Sequence, residues 1–268
     1  MAVTKSAGEI LEAVVEDGRE ELGRASAGLA LSGLAAGLNV SFSVVALGAV
    51  GALTGGVGLA AALLYPIGFL IVILGRSQLF TENTVTPVAV VLTRFSSLPN
   101  MLRLWGVIFI ANVLGAALFA AAVVYGEMLP PSTFGVLSEE VAGKLEYGFW
   151  EATLKAVLGG WLVALIAWLI AASKDTISQV FFIYGLTFLI PACGLTHCIA
   201  GSSEVLMSVF AGEVSLWEYL GGFLIPSTLG NTIGGVFLVA LLNYGQVAGS
   251  SKKTSLAGYT EEDEQRGS

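Results

Sequence analysis

Two short stretches, LFTENT at residues 79–84 and GLTHCIAG at residues 194–201, decide how this sequence is interpreted. Each interrupts a segment that is otherwise apolar. Lipid offers no hydrogen-bond partners to an interrupted backbone, so such a break must be buried in protein or line a water-filled passage. The two stretches therefore predict a pore that contains two discontinuous helices.

The composition favours a bundle of membrane helices. Of the 268 residues, 55% are hydrophobic and 12% are charged, whereas a soluble protein carries about 25% charged residues. The 34 glycines suit helices that approach each other closely in lipid. The net charge of −8 argues against nucleic acid as a partner, because nucleic-acid binding needs clustered Lys and Arg. Two cysteines are too few for a disulfide framework, and the N-terminus is not that of a cleavable signal peptide.

The apolar segments predict six membrane crossings, and so an all-α membrane protein. Two of them, 58–75 and 179–192, are broken by the two polar stretches and then resume. The order full, broken, full occurs twice, which is typical of a three-plus-three inverted repeat whose discontinuous helices form a transport site. The uninterrupted crossings are 27–49, 104–125, 156–173 and 219–243.

Three regions are predicted along the chain. Residues 1–25 form a cytoplasmic N-terminal region in which 5–24 is an amphipathic helix. This helix lies either at the membrane interface or as an ordinary soluble cap. Residues 26–245 form the six-span transmembrane pore domain. Residues 246–268 are polar and poor in aromatics, and are predicted to be a disordered cytoplasmic tail.

The distribution of Lys and Arg predicts the orientation. With a cytoplasmic N-terminus and an even number of crossings, most of the basic residues outside the spans lie inside, and only Lys144 and Lys155 lie outside. Cytoplasmic loops carry this excess of positive charge. We therefore expect a multi-pass protein of the plasma or inner membrane with both termini in the cytoplasm.

His197 and Thr81 are the residues most able to carry function. His197 is the sole histidine, and ionisable groups inside a membrane usually mark a pathway. The sequence Y-x-x-x-F-L-I begins at both Tyr65 and Tyr184, and each copy is followed by a break, with a spacing that differs by about three residues. Leu79-Phe80-Thr81 then corresponds to Leu195-Thr196-His197, which assigns Thr81 the position that His197 has in the other half. The alternatives are a neutral histidine that serves packing only and a threonine bonded to its own helix.

Several groups beside these residues bear on mechanism. The helix N-termini at the breaks expose N–H groups and positive dipoles, which favour an anion. Leu79 and Phe80 either form a constriction or belong to the core. Cys193 and Cys198 bracket His197, but a zinc site needs about four ligands, so no metal and no other cofactor is predicted. The sequence contains no motif that supports an enzyme.

These residues resemble the formate/nitrite transporter family. The resemblance covers about residues 5–245 and is carried by LFTENT, by GLTHCIAG and by Lys144, which lies seven residues before Glu151. It implies an aquaporin-like fold that assembles as a homopentamer in the lipid membrane, with one pore in each subunit. It also implies transport of small monovalent anions such as formate or nitrite, with or without protons.

The resemblance assigns roles to particular residues. His197 and Thr81 face each other at the centre of the pore, and Lys144 draws anions towards the outer vestibule, unless it is only a solvated loop lysine. Apolar constrictions above and below the centre include Leu79, Phe80, Phe69 and Ile190.

Three positions depart from the family pattern and suggest a divergent branch. Thr196 stands where a glutamate usually precedes the histidine, and Gly201 and Gly160 stand where asparagine is usual. The sequence leaves open whether His197 protonates the anion or only hydrogen-bonds to it. Two other functions also stay open: an aquaporin-like channel for water or small neutral solutes, and a non-conducting sensor or scaffold that uses the acidic tail.

Overall fold

The regular elements within residues 5–250, the part of the chain that the computed structural model describes, are all helical. This confirms the all-α prediction. Eleven helices follow one another: α1 (Ala7–Gly23), α2 (Ser26–Thr54), α3 (Leu59–Ala62), α4 (Pro66–Leu74), α5 (Thr86–Thr93), α6 (Leu98–Tyr125), α7 (Pro131–Leu145), α8 (Phe149–Ala172), α9 (Thr176–Ala192), α10 (Cys198–Phe210) and α11 (Leu216–Ser250).

Four of these helices are long and apolar enough to cross a membrane by length and composition: α2, α6 with the turn before it, α8, and α11. Between them lie two interrupted segments at the predicted positions. The first consists of α3, α4 and α5, with LFTENT between α4 and α5, and the second consists of α9 and α10, with GLTHCIAG across their junction. The chain is thus a multi-pass membrane protein.

The structure corrects the sequence predictions at two places. Residues 131–145 lie between the predicted crossings and contain Lys144, for which a loop was one of the predicted settings; they form the helix α7. The last helix continues to Ser250, so the prediction of disorder is wrong for residues 246–250, and the rest of the tail lies outside the described residues. The N-terminal prediction agrees with α1, whose capping box pairs Ser6 with Glu9.

The long helices pack as two close pairs, α2 with α6 and α8 with α11, and glycine allows both approaches. A Cβ atom at Gly37 would meet the carbonyl oxygen of Asn112, and one at Gly160 would meet that of Asn231. Further along, a Cβ atom at Gly234 would meet the carbonyl oxygen of Val157. Such contacts replace the hydrophobic driving force that lipid does not supply.

We expect Gly234→Ala to destabilise the protein by about 1–3 kcal/mol, because the added methyl group has no space against backbone that cannot move independently. Thermal unfolding in detergent measures this as a lowered Tm. Gly185→Ala is the matched control, since a Cβ atom on this helical glycine meets nothing within 4 Å; alanine there should leave the Tm unchanged or raise it. Equal effects of the two substitutions would contradict the packing argument.

Candidate functional site

An asparagine holds the first break in place. Asn112 of α6 accepts a hydrogen bond from the backbone N–H of Phe80 at 2.8 Å through Oδ1. Its Nδ2 donates to the carbonyl oxygens of Gly33 at 2.8 Å and of Gln78 at 2.9 Å. One buried side chain thus satisfies both a donor and an acceptor of the interrupted backbone and ties them to α2.

A second asparagine does the same at the other break. Asn231 of α11 accepts from the N–H of Cys198 at 2.8 Å and donates to the carbonyl oxygens of Ala156 at 2.7 Å and of Thr196 at 3.1 Å. Sequence reasoning missed both asparagines. The available signal was an asparagine in the interior of each of two apolar segments.

These matched bonds correct the alignment of the two halves. Asn112 and Asn231 bracket Leu79 and His197, respectively, so Leu79 corresponds to His197 and Thr81 lies two residues further on. In the repeat that begins with Y-x-x-x-F-L-I, Leu79-Phe80-Thr81 was instead aligned with Leu195-Thr196-His197. The two tyrosines that begin this repeat have different environments: Tyr65 is 6% exposed and Tyr184 is 37% exposed.

Thr81 and His197 nevertheless meet. Thr81 Oγ1 lies 2.8 Å from His197 Nε2, and both side chains are buried. His197 is also the N-cap of α10, where its Nδ1 accepts from the N–H of Ala200 at 3.1 Å. A nitrogen that accepts carries no proton, so the imidazole is neutral with its proton on Nε2. Nε2 then donates to Thr81, and the hydroxyl hydrogen of Thr81 points elsewhere.

An apolar side chain contacts this pair. The ring of Phe69 contacts that of His197 edge-on, with centroids 5.0 Å apart. Leu79 and Ile190 are also buried, at 0% and 2% exposure. Three of the predicted constriction residues are therefore buried, and one of them, Phe69, contacts the histidine.

Phe80 has a different set of neighbours. Its ring packs edge-on against Phe109 and Trp105 of α6, with centroid separations of 5.1 and 5.7 Å. It is buried at 5% exposure. The aromatic cluster and the backbone bond to Asn112 together fix the residue that directly precedes Thr81.

Lys144 lies at the end of α7 and is not a solvated loop lysine, because its side chain is only 14% exposed. Its Nζ lies 2.6 Å from Oε2 of Glu204 and 3.3 Å from Oε1 of Glu140. Two carboxylates therefore surround one ammonium group. Glu204, on α10 two turns after His197, was not among the residues singled out from the sequence.

The two glycines that depart from the family pattern are explained by packing. A Cβ atom at Gly201 would meet the ring of Phe223, which is buried at 2% exposure. Phe223 therefore fills the space that an asparagine side chain would need. Gly160 is the close contact with Asn231 that brings α8 against α11.

A vestibule of about 790 Å³ opens at the end of the molecule that α1 covers. Burial raises the pKa of Asp17, one of its carboxyl groups, above the ordinary value. Acidic residues outnumber basic ones in the lining, so Coulombic attraction does not draw anions into this end. The charged residues that line it are Asp17, Glu20, Glu21, Glu82, Arg24 and Arg76.

The family model for formate/nitrite transporters matches residues 8–245. The chain belongs to the formate/nitrite transporter family. A relative, the inner membrane protein YfdC of Escherichia coli (strain K12), is 34% identical over 243 residues, which cover 89% of this chain and 78% of YfdC. The formate channel FocA of Haemophilus influenzae is 27% identical, over 79% of this chain and 84% of its own length.

Solved structures of formate/nitrite transporters share the fold. An ion channel of this family superposes with a TM-score of 0.78 at 24% identity, over 89% of this chain and 98% of that one. A pentameric formate channel with formate bound gives a TM-score of 0.69 at 18% identity, over 82% and 96% of the two chains. The resemblance inferred from LFTENT and GLTHCIAG is confirmed, and this transporter belongs to a family of transport proteins rather than enzymes. Across residues 5–250, no group of three or more His, Cys, Asp and Glu side chains is placed to hold a metal ion.

We expect Asn231→Leu to lower the Tm strongly, because it leaves the N–H of Cys198 and the carbonyl oxygen of Thr196 buried without their partner. Each such group costs about 1–3 kcal/mol. Asn243→Leu is the control, since this amide donates only to the carbonyl oxygen of Val239 in its own helix. Thermal unfolding of both variants in detergent checks the difference, and similar Tm values would show that Asn231 does not brace the break.

Proposed function

We propose that this formate/nitrite transporter conducts small monovalent anions, such as formate or nitrite, past the Thr81–His197 pair. The observation that carries the proposal is the 2.8 Å bond between Thr81 Oγ1 and His197 Nε2, whose side chains are both buried. A relative of this chain is named a formate channel. A buried polar pair with a hydroxyl hydrogen to spare gives an anion one binding position on the way through.

His197 acts in its neutral form. Protonation of Nδ1 would set two donors, Nδ1–H and the N–H of Ala200, against each other and remove the cap of α10. The imidazole therefore orients Thr81 by donating from Nε2, and the hydroxyl of Thr81 donates to the anion. The N-terminal dipole of α10 adds a positive potential at the same place.

The apolar residues on either side decide which anions cross. Removing an ion from water costs far more than removing a neutral molecule, so Phe69, Leu79 and Ile190 oppose strongly hydrated ions. A weak acid lowers this cost when its anion travels together with a proton. Since Nδ1 is held as an acceptor, that proton comes from solution rather than from a store on His197.

We also propose the number of crossings, the internal repeat, the orientation in the membrane and the oligomeric state. We infer six crossings in a three-plus-three inverted repeat. The contact of Asn112 with Gly37 and the equivalent contact of Asn231 with Gly160 support it. The excess of Lys and Arg supports cytoplasmic termini. We infer a pore domain over residues 26–245 and a cytoplasmic N-terminal region before it. A solved relative is a pentamer, and we infer a homopentamer here.

The function is tested by the flux of labelled formate and nitrite into proteoliposomes. Thr81→Val removes the donor at constant shape and should lower the flux by about 10–100-fold, as the loss of a hydrogen bond to a charged group implies. Thr81→Ser keeps the hydroxyl and should retain most of the flux.

His197→Asn keeps an acceptor that can cap α10 but is too short to hold Thr81, so it should lose flux without loss of folding. His197→Phe removes both roles. Unchanged flux in Thr81→Val and His197→Phe would overturn the proposal. Osmotic swelling of the wild type without anion flux would favour the water-channel alternative instead.

A further inference from the structure

Glu204 is the buried ionisable group that the proposed function leaves without a role. Its side chain is 2% exposed. Oε2 receives a hydrogen bond from Lys144 Nζ at 2.6 Å, while Oε1 has no hydrogen-bond partner. Of the buried side-chain atoms without a partner in residues 5–250, Oε1 of Glu204 is the only one on an ionisable residue.

The charges around Glu204 do not balance. Lys144 Nζ also lies 3.3 Å from Glu140 Oε1, so two carboxyl groups share one ammonium group. If both carboxyl groups were ionised, the cluster would carry a net charge of −1. The side chain of Glu140 is 28% exposed and reaches solvent, but Oε1 of the buried Glu204 would face no donor. Burial of an unpaired charge is costly, and two nearby carboxyl groups commonly share a proton for this reason.

The other elements packed around Glu204 supply no second cation. The hydroxyl of Tyr219 on α11 donates to Ser202 at 2.9 Å, and Tyr65, which precedes α4, lies within electrostatic range of Glu204 and Glu140. Helix α2 contains no ionisable residue. On α6, Arg103 binds backbone carbonyls at the end of α1 and Tyr125 is 72% exposed. The charge of this region is therefore set by Lys144, Glu140 and Glu204.

The position of the cluster relates it to the pore. Glu204 lies seven residues after His197 on α10, so both are on the same face of this part of the chain. The chain also lacks the glutamate that usually precedes the family histidine, since Thr196 stands there. In this chain a carboxyl group lies instead two turns further along α10, at Glu204, towards the α7 end of the pore.

We propose that Glu204 holds a proton beside Lys144, and that loss of this proton makes the α7 end of the pore negative and opposes access of the anion. With the proton bound, the cluster is neutral. Without it, one unit of negative charge lies near the path. This inference rests on the proposed function, and it makes Glu204 a residue that selects for anions arriving under acidic conditions.

The size of the effect follows from Coulomb's law. One unit charge at a distance of about 10 Å, with an effective dielectric constant of about 20, changes the occupancy of the anion by about tenfold. The flux of formate or nitrite applied from the α7 side should therefore fall as the pH on that side rises. Protonation of the substrate also changes the flux with pH. Comparing the flux of variants with that of the wild type at the same pH isolates the contribution of the cluster.

Glu204→Gln is the decisive variant, because its amide has the shape of a carboxyl group and retains an oxygen for Lys144. The ratio of variant to wild-type flux should be near one at acidic pH and rise to about tenfold at higher pH. Glu139→Gln is the control, since Glu139 is exposed on α7 and its ratio should stay near one throughout. Glu140→Gln should reproduce the effect of Glu204→Gln, and serves in its place if that variant does not fold.

A spectroscopic measurement tests the cluster without transport. Infrared difference spectra of the purified wild-type protein should show the carbonyl stretch of a protonated carboxyl group that disappears as the pH rises, and Glu204→Gln should lack it. Absence of this band, or flux profiles of wild type and Glu204→Gln that run parallel, would overturn the inference. A wild type with the band but no anion flux at any pH would overturn the proposed function instead.

Discussion

The structure depends on how two interrupted stretches of backbone find hydrogen-bond partners away from water. Asn112 and Asn231 supply them, and each amide joins a break to the carbonyl of a neighbouring long helix. The glycines at the same crossings let the helices come close enough for these bonds to form. Without the two amides, the free N–H and carbonyl groups of the breaks would be buried unpaired, and neither Thr81 nor His197 would have a fixed position.

Hydropathy predicted much of this arrangement, because lipid forces long crossings to be apolar and makes each polar interruption visible. The breaks, the long helices and His197 were found in this way. Helix α7 was missed because it is only moderately apolar and looks like a charged loop. The register of the two halves was also missed: apolar repeats match by chance, and a shift of one residue turns a helical side chain by about 100°. The pairing of Lys144 with Glu204, 60 residues away, leaves no local signal.

The charges along the proposed pore do not attract anions at either end. Carboxyl groups outnumber guanidinium groups in the vestibule beneath α1, and the carboxyl groups of Glu140 and Glu204 surround Lys144 at the other end. Between them lies a neutral histidine. Under the proposed function, an anion is held by hydrogen bonds and helix dipoles in the middle rather than by a cation. The family lysine is present, but here its charge is already compensated by the protein.

The ring of Phe223 in place of a polar side chain beside Gly201 has a consequence for pharmacology. An asparagine at this position would offer a blocker an amide to which it could hydrogen-bond. Here the same space presents an aromatic surface, so such a compound would lose its polar contact and meet a ring that fills the volume. A ligand with a small apolar group at that point would have the opposite preference. The side chain of Phe223 alone would then allow an inhibitor to distinguish this transporter from its relatives.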